Sequence, residues 1–221
     1  MPRIALLVVA IASGVALSSC RSSGSPSLSA TQAPTHLSFR QVYETSDAGL
    51  TRAEIGNETL PPSRATGRSQ STVETTPTAA EVIAYAALDC STPANQKAGS
   101  RTDDRTKFLV TCGNPDGTSD YFKYLLWPSV IVGSDITAAA ASNPFGLGWS
   151  VELSFNPDAT KVWAEYTGSH VDTAVADVVD GNVFVVEIIQ AEIVGPTTID
   201  GIFTKKTASD FAKELSNGNA R

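Results

Sequence analysis

Between Trp149 and Gly218 the hydrophobic period changes in a fixed order, and that order restricts the fold more than any other feature. Trp149, Val151, Leu153 and Phe155 alternate with Ser150, Glu152 and Ser154, the pattern of a strand with one wet face. The run leads into Asn156 as an N-cap, Pro157 at the first helical position and Asp158 in the first turn. Ala159, Val162, Trp163 and Tyr166 then fall at i, i+3, i+4 and i+7, a single apolar stripe. Thr173 to Val179 and Val183 to Ile189 read as strands around Asp180-Gly181-Asn182, because an Asp-Gly pair tolerates the positive φ values of a tight hairpin turn. Thr198 to Phe203 is a further strand. A last helix opens at Thr204, places Ala208, Phe211, Ala212 and Leu215 on one face and ends at Asn217-Gly218. Strand, helix, hairpin, strand, helix predicts an α+β fold: an antiparallel or mixed β-sheet with two helices packed on one face, preceded by a disordered tether.

Upstream signals are shorter. Thr78-Ala79-Ala80-Glu81 is a capping box leading into a helix from Val82 to Leu88. Lys107 to Thr111 and Tyr121 to Val132 look like strands, Pro128 limiting the second to an edge or a bend. Leu37 to Tyr43 alternates large and polar side chains, which suits a half-buried strand, and Asp47 to Thr76 is loop-like. Asn57 to Thr76 has no aromatic residue and little to bury, so disorder or a long surface loop is expected there.

The amino terminus carries its own signal. Arg3 precedes an uninterrupted apolar or small run of 14 residues, Ile4 to Leu17, long enough for a secretory h-region and short for a bilayer span. The run ends in Leu17-Ser18-Ser19-Cys20, which resembles the bacterial lipoprotein box. That resemblance implies acylation of Cys20, with fatty-acyl chains such as palmitate, and a mature chain that begins there. Two or more chains anchor stably where one binds only marginally. Cys20 to Thr35 is rich in Ser, Ala, Pro and Thr and reads as a flexible tether with a reach of roughly 20 Å. The expected organisation is a signal peptide over 1–19, a tether over 20–35, a short strand and disordered loop over 36–76, and an α+β domain over 77–218. The expected location is the extracytoplasmic face of the cell membrane, held by lipid.

With Cys20 acylated, Cys90 and Cys112 remain as a pair outside the cytoplasm, where disulfides persist. Export and pairing favour a bridge over two free thiols or half a metal site, since no histidine neighbours either cysteine and no Cys-x-x-Cys spacing occurs. His36 and His170 stand alone, and neither belongs to a recognisable catalytic set. There is no Gly-x-Ser-x-Gly elbow, His-Glu-x-x-His or phosphate-binding loop. The chain has 16 Lys+Arg against 23 Asp+Glu, a formal charge of −7, which disfavours a nucleic-acid partner. The expectation is a noncatalytic protein with no metal and no cofactor.

Several segments, in order, resemble the first large extracytoplasmic domain of SecD and fused SecDF, above all its head subdomain. They are Leu37-Ser38-Phe39-Arg40-Gln41-Val42, Ala87-Leu88-Asp89-Cys90-Ser91, Leu109-Val110-Thr111-Cys112 and Lys123-Tyr124-Leu125-Leu126-Trp127-Pro128. Gly133-Ser134-Asp135-Ile136, Gly148 to Asn156, Val179 to Val183 and Ile199 to Thr204 follow. The resemblance implies a SecD head-like fold and contact with unfolded exported protein or translocon subunits, by apolar contact and strand addition at a sheet edge. Tyr121, Phe122, Tyr124 and Trp127 are the candidate binding surface. Proton-driven motion does not carry over, because the family couples it through transmembrane helices. The competing reading is an envelope lipoprotein that binds a small apolar ligand or lipid in an internal cavity.

Overall fold

The computed structural model describes residues 36–47, 49–51, 53–55, 73–97, 103–115, 117, 119–146 and 148–218. The expected signal peptide, Cys20, the expected tether and most of the expected disordered loop lie outside the described residues. Nine strands and four helices follow one another as β1 (Leu37–Thr45), α1 (Ala79–Ala87), α2 (Pro93–Gln96), β2 (Leu109–Gly113), β3 (Phe122–Leu126), β4 (Ile131–Val132), β5 (Ile136–Ser142), β6 (Trp149–Phe155), α3 (Pro157–Ser169), β7 (Ala174–Val179), β8 (Asn182–Ile188), β9 (Thr197–Phe203) and α4 (Lys205–Gly218) among the described residues. A single 3-10 turn, Gly133–Asp135, separates β4 from β5.

The expected mixed α+β architecture is present, with the strands divided between two sheets. One has six strands in the order β3-β2-β8-β7-β1-β4, and the other is the antiparallel sheet β5-β6-β9. β3 also pairs with β1, so β1, β7, β8, β2 and β3 close a ring. The one parallel join in it is Gly113 against Val183. A Cβ at Gly113 would stand 2.4 Å from the Val183 Cβ, so only glycine lets β2 come this near β8.

Local signals account for the element boundaries. Thr78 accepts the Glu81 N–H at 3.3 Å while Glu81 takes the Thr78 N–H at 2.6 Å, completing the capping box of α1. Asn156 caps α3 through the Ala159 N–H at 2.9 Å. Asp180 and Gly181 have φ of 49° and 80°, and Val179 faces Asn182, as a two-residue hairpin with positive φ at both turn positions requires. Strand pairing stops around Pro128, and the run Tyr121 to Val132 becomes β3 and β4.

Three apolar clusters fill the molecule. The largest lies between the sheets, where both α3 and α4 meet Val151, Leu153 and Phe155 of β6 and Ile199 of β9. Trp163 of α3 sits 5.2 Å from the Phe39 ring of β1 and 6.3 Å from Phe155, so α3 is packed against both sheets. A second cluster draws on all five ring strands, including Val42, Leu109, Tyr124, Ala176 and Val183. The third joins Tyr85 of α1 to Phe108, Leu125 and Trp127 on the other face of β2 and β3.

β1 departs from its expected half-buried character. Every side chain from Leu37 to Val42 is buried, since the strand has β7 on one side and β3 and β4 on the other. The strand is thus integral to the sheet rather than a segment apart from the domain beginning at residue 77. Its buried charged residue is satisfied internally, whereas the buried Gln41 side-chain oxygen has no hydrogen-bond partner among the described residues. The fully buried Arg40 guanidinium pairs with Asp103 and donates to the carbonyls of Lys107 at 2.9 Å, Trp127 at 2.8 Å and Asp104 at 3.0 Å, while Nε donates to Ser38 at 3.3 Å. Burial pulls its pKa down, and the carboxylates of Asp103 and Asp104 oppose that pull. Removing Asp103 strands a buried cation, at a cost of about 3–5 kcal/mol. Asp103→Ala is therefore expected to shift the urea midpoint by that free energy with the slope unchanged, and a shift below about 1 kcal/mol would show that Arg40 does not depend on its partner.

Candidate functional site

Among the described residues, a wide, shallow hollow of about 390 Å³ lies between β5 and α4, and a narrower apolar groove of about 220 Å³ lies where four segments meet. The loop after β2 contributes Pro115, Gly117 and Tyr121, the start of β8 contributes Val183 and Phe184, the end of β9 contributes Ile202 and Phe203, and α4 contributes Phe211. Each is placed by a local rule. The Asp-Gly turn brings Val183 and Phe184 to the rim, and the apolar stripe of α4 turns Phe211 inward. Phe184, Phe203 and Phe211 form an aromatic floor, with centroid separations of 5.5, 5.4 and 5.9 Å. Ile202 is 76% exposed at the mouth. An exposed β-branched side chain beside a preformed aromatic floor offers an incoming apolar group something to displace water from.

The groove's polar rim is tied to the disulfide. Cys90 and Cys112 are bonded, with Cα atoms 5.7 Å apart, joining the segment after α1 to β2. Gln96 donates to the Cys90 carbonyl at 3.0 Å, and its own carbonyl accepts from Asn182 Nδ2 at 3.0 Å. Thr111 donates to the Gly181 carbonyl at 2.5 Å. The bridge thus holds α2 against the hairpin that forms one wall. Burial raises the Tyr85 phenol to about 12, with the Glu44 charge adding to it, so that ring serves as packing for α1.

β9 forms one margin of the groove and also one edge of its sheet, since its only strand partner is β6 among the described residues. Its margin meets β8 through one hydrogen bond, from the Asp200 N–H to Glu187 Oε1 at 2.8 Å.

The surface expected from Tyr121, Phe122, Tyr124 and Trp127 does not exist as a set. Successive strand residues point to opposite faces, so the four are divided between two clusters and the groove. Tyr124 is fully buried inside the ring, its hydroxyl donating to Asp47 Oδ2 at 3.3 Å. Trp127 is buried on the other face, 4.9 Å from Phe108 and 5.5 Å from Tyr43. Phe122 is half-buried against the ring interior, and Tyr121 alone of the four lines the groove. The sequence reading missed Ile202, Phe203 and Phe184 as a site. The available signal was Ile202-Phe203, two adjacent large apolar residues at a strand end, where alternation sends one of them to solvent.

The histidines stand apart from the groove. His36 donates its backbone N–H to Asp180 Oδ1 at 2.9 Å. His170 ends α3, its ring stacked on Tyr166 at 4.3 Å and its Nδ1 2.9 Å from the Tyr166 carbonyl. Cys20 lies outside the described residues.

Residues 113–219 match the family model for the SecDF P1 head subdomain. The SecD protein translocase subunit of Mycobacterium tuberculosis is 36% identical over 122 residues, which cover 53% of this chain and 21% of that protein. SecD of Streptomyces coelicolor is 30% identical over 146 residues, 61% of this chain and 25% of the relative. The chain therefore spans about a fifth to a quarter of the length of these curated relatives. A solved structure of SecDF, described as a membrane component that enhances protein export, aligns with a TM-score of 0.45 at 21% identity, over 84% of this chain and 63% of that one.

Closing the 23-residue loop from Cys90 to Cys112 is worth about 3 kcal/mol on the chain-entropy account. Cys90→Ser with Cys112→Ser is expected to lose that stability and to raise amide exchange first in α1 and α2, as read by hydrogen exchange. Uniform exchange across the sheet would show that the bridge does not secure this flap. Residues 113–219 are thus similar to the SecDF P1 head subdomain.

Proposed function

We propose that this chain is a lipid-anchored, noncatalytic binding module on the extracytoplasmic face of the cell membrane, which touches unfolded exported polypeptide or translocon subunits through the groove. In this reading residues 1–19 are removed, Cys20 carries the acyl chains, 20–35 form the tether, and the body runs from 36 to 218. The observation that carries it is the groove itself, an aromatic floor with Ile202 exposed at its mouth and a strand edge at its margin.

The chemistry fits a chain without fixed structure. A strand edge offers backbone donors and acceptors to any extended segment whatever its sequence, and the floor adds affinity for an apolar side chain. The likeness of residues 113–219 to the SecDF head, and the relatives' naming as protein translocase subunits, support the same partner class. A small apolar ligand in the groove finds less support, since about 220 Å³ lies below the roughly 300–1,000 Å³ usual for ligand pockets, and the hollow of about 390 Å³ between β5 and α4 is open and lined by alanines and polar side chains.

A photo-crosslinking amino acid at Ile202, in cells exporting a slowly translocating substrate, is expected to capture that substrate or a translocon subunit. The same group at Lys161, exposed on α3, is expected not to. Equal capture at both positions, or none at Ile202, overturns the groove. Cys20→Ser is expected to abolish labelling by an alkyne fatty acid and to move the chain out of the membrane fraction, and retention in that fraction overturns the lipid anchor.

A further inference from the structure

The two sheets meet at a seam built around carboxyl groups. β8 and β9 share no backbone ladder among the described residues, and the Glu187 carboxyl bridges them by accepting the Asp200 N–H at 2.8 Å. Beside it on the same sheet is Asp177 of β7, 1% exposed, whose Oδ2 has no hydrogen-bond partner. Asp177 lies opposite Phe39 and Val185, and Glu187 opposite Val175, on the face turned toward the large inter-sheet cluster. The third carboxyl, Asp200, comes from β9.

Among the described residues no cation offsets this trio: the charges that act on Asp177 are Glu187 and Asp200, and the charge that acts on Glu187 is Asp200. α4 brings Thr207 and Phe211 to the adjoining groove and β2 brings Gly113, none of which titrates near neutrality. Lys205, at the start of α4, lies over the Trp149 ring instead. An ionised Glu187 therefore sits partly out of water, next to one exposed carboxylate and one buried acid.

We propose that the Glu187 carboxyl is a proton-operated latch between the two sheets: with its proton it holds β9 against β8, and on giving that proton to solvent it loosens the seam and the groove beside it. A neutral carboxyl keeps its carbonyl oxygen for the Asp200 N–H and repels nothing. The carboxylate is a stronger acceptor, but it must be desolvated and set against Asp200, and opening the seam hydrates it.

Burial raises Glu187 from 4.5 to about 7, against the pull of the Asp200 N–H and with a smaller push from the Asp200 charge, and burial lifts Asp177 well above the ordinary aspartate range. The sign follows from proton binding. The closed seam holds the Glu187 proton more tightly than the open one, so closure is most stable below pH 4.5, weakens as pH rises toward about 7 and is level beyond it. The separation of about 2.5 pH units caps the change in the opening equilibrium at roughly 300-fold, and partial hydration of the closed seam reduces it to about 10- to 100-fold. The latch stands whether or not the groove binds polypeptide.

The test is the protection factor of the Asp200 amide, from hydrogen exchange on the full chain in detergent at pH 5 and pH 8. The wild type is expected to lose protection by about 10- to 100-fold between the two. Glu187→Gln, whose amide oxygen still accepts the bond, is expected to show the same protection at both, and Glu152→Gln on exposed β6 surface to behave as wild type. Asp200→Asn removes the repulsion and is expected to shift the transition to lower pH. A wild type that is level across the range, or a Glu187→Gln protein that keeps the wild-type dependence, overturns the latch. Should Glu187→Gln fail to fold, an unshifted transition in Asp200→Asn overturns it as well.

Discussion

The ion pair between Arg40 and Asp103 decides where β1 sits, and β1 is the strand on which both sheets depend. Its side chains are buried on both faces from Leu37 to Val42, so the usual division into a wet and a dry face cannot set its register. A one-residue slip would turn Arg40 to the face holding Phe39, Trp163 and Phe155, away from Asp103 and from the three carbonyls that accept from it. In register, all of its donor nitrogens are met by the loop before β2, the end of β3 and Ser38. Replacing such a pair by apolar residues is often neutral for stability, so its value here lies in excluding the wrong registers.

That anchoring propagates outward. Arg40 takes the Trp127 carbonyl at the point where Pro128 ends β3, and the Val130 N–H returns to the Phe39 carbonyl at 2.8 Å. The chain can then switch from β3 to β4 and leave the ring for the second sheet. Phe39, two residues from the closing edge of the ring, meets Trp163 and so fixes α3. The position of the groove follows from the same chain of contacts, because its walls come from the β7–β8 hairpin, held to β1, and from β9 and α4, held to β6.

What could be read in the sequence was whatever local chemistry decides. Asn156-Pro157, the Thr78–Glu81 box and Asp180-Gly181 each specify a boundary through bonds a few residues long, and each element begins or turns where they stand. The Cys90–Cys112 bridge followed from pairing arithmetic. The division into two sheets could not be read, because it depends on which strand pairs with which. β5 was invisible for a related reason. Its Ala138 to Ala141 run carries no strand preference, and it is a strand because β6 pairs with it and α4 packs across it. Small residues on both sides, Ala139 and Ala141 against Ala208 and Ala212, let helix and strand approach closely.

The aromatics near Trp127 show the same limit from the side of function. Four large rings in seven residues look like a surface, yet alternation and ring closure send Tyr124 and Trp127 into separate cores and leave Tyr121 at the groove. The groove itself arises where β8, inside one sheet, and β9, at the edge of the other, run side by side without a shared ladder among the described residues. The protein fills the narrow part of the gap between them with the Phe184–Phe203–Phe211 stack and the Glu187 bridge. The proposed contact and the proposed proton sensitivity therefore share one structural origin: the place where backbone pairing between strands stops and side chains join the sheets.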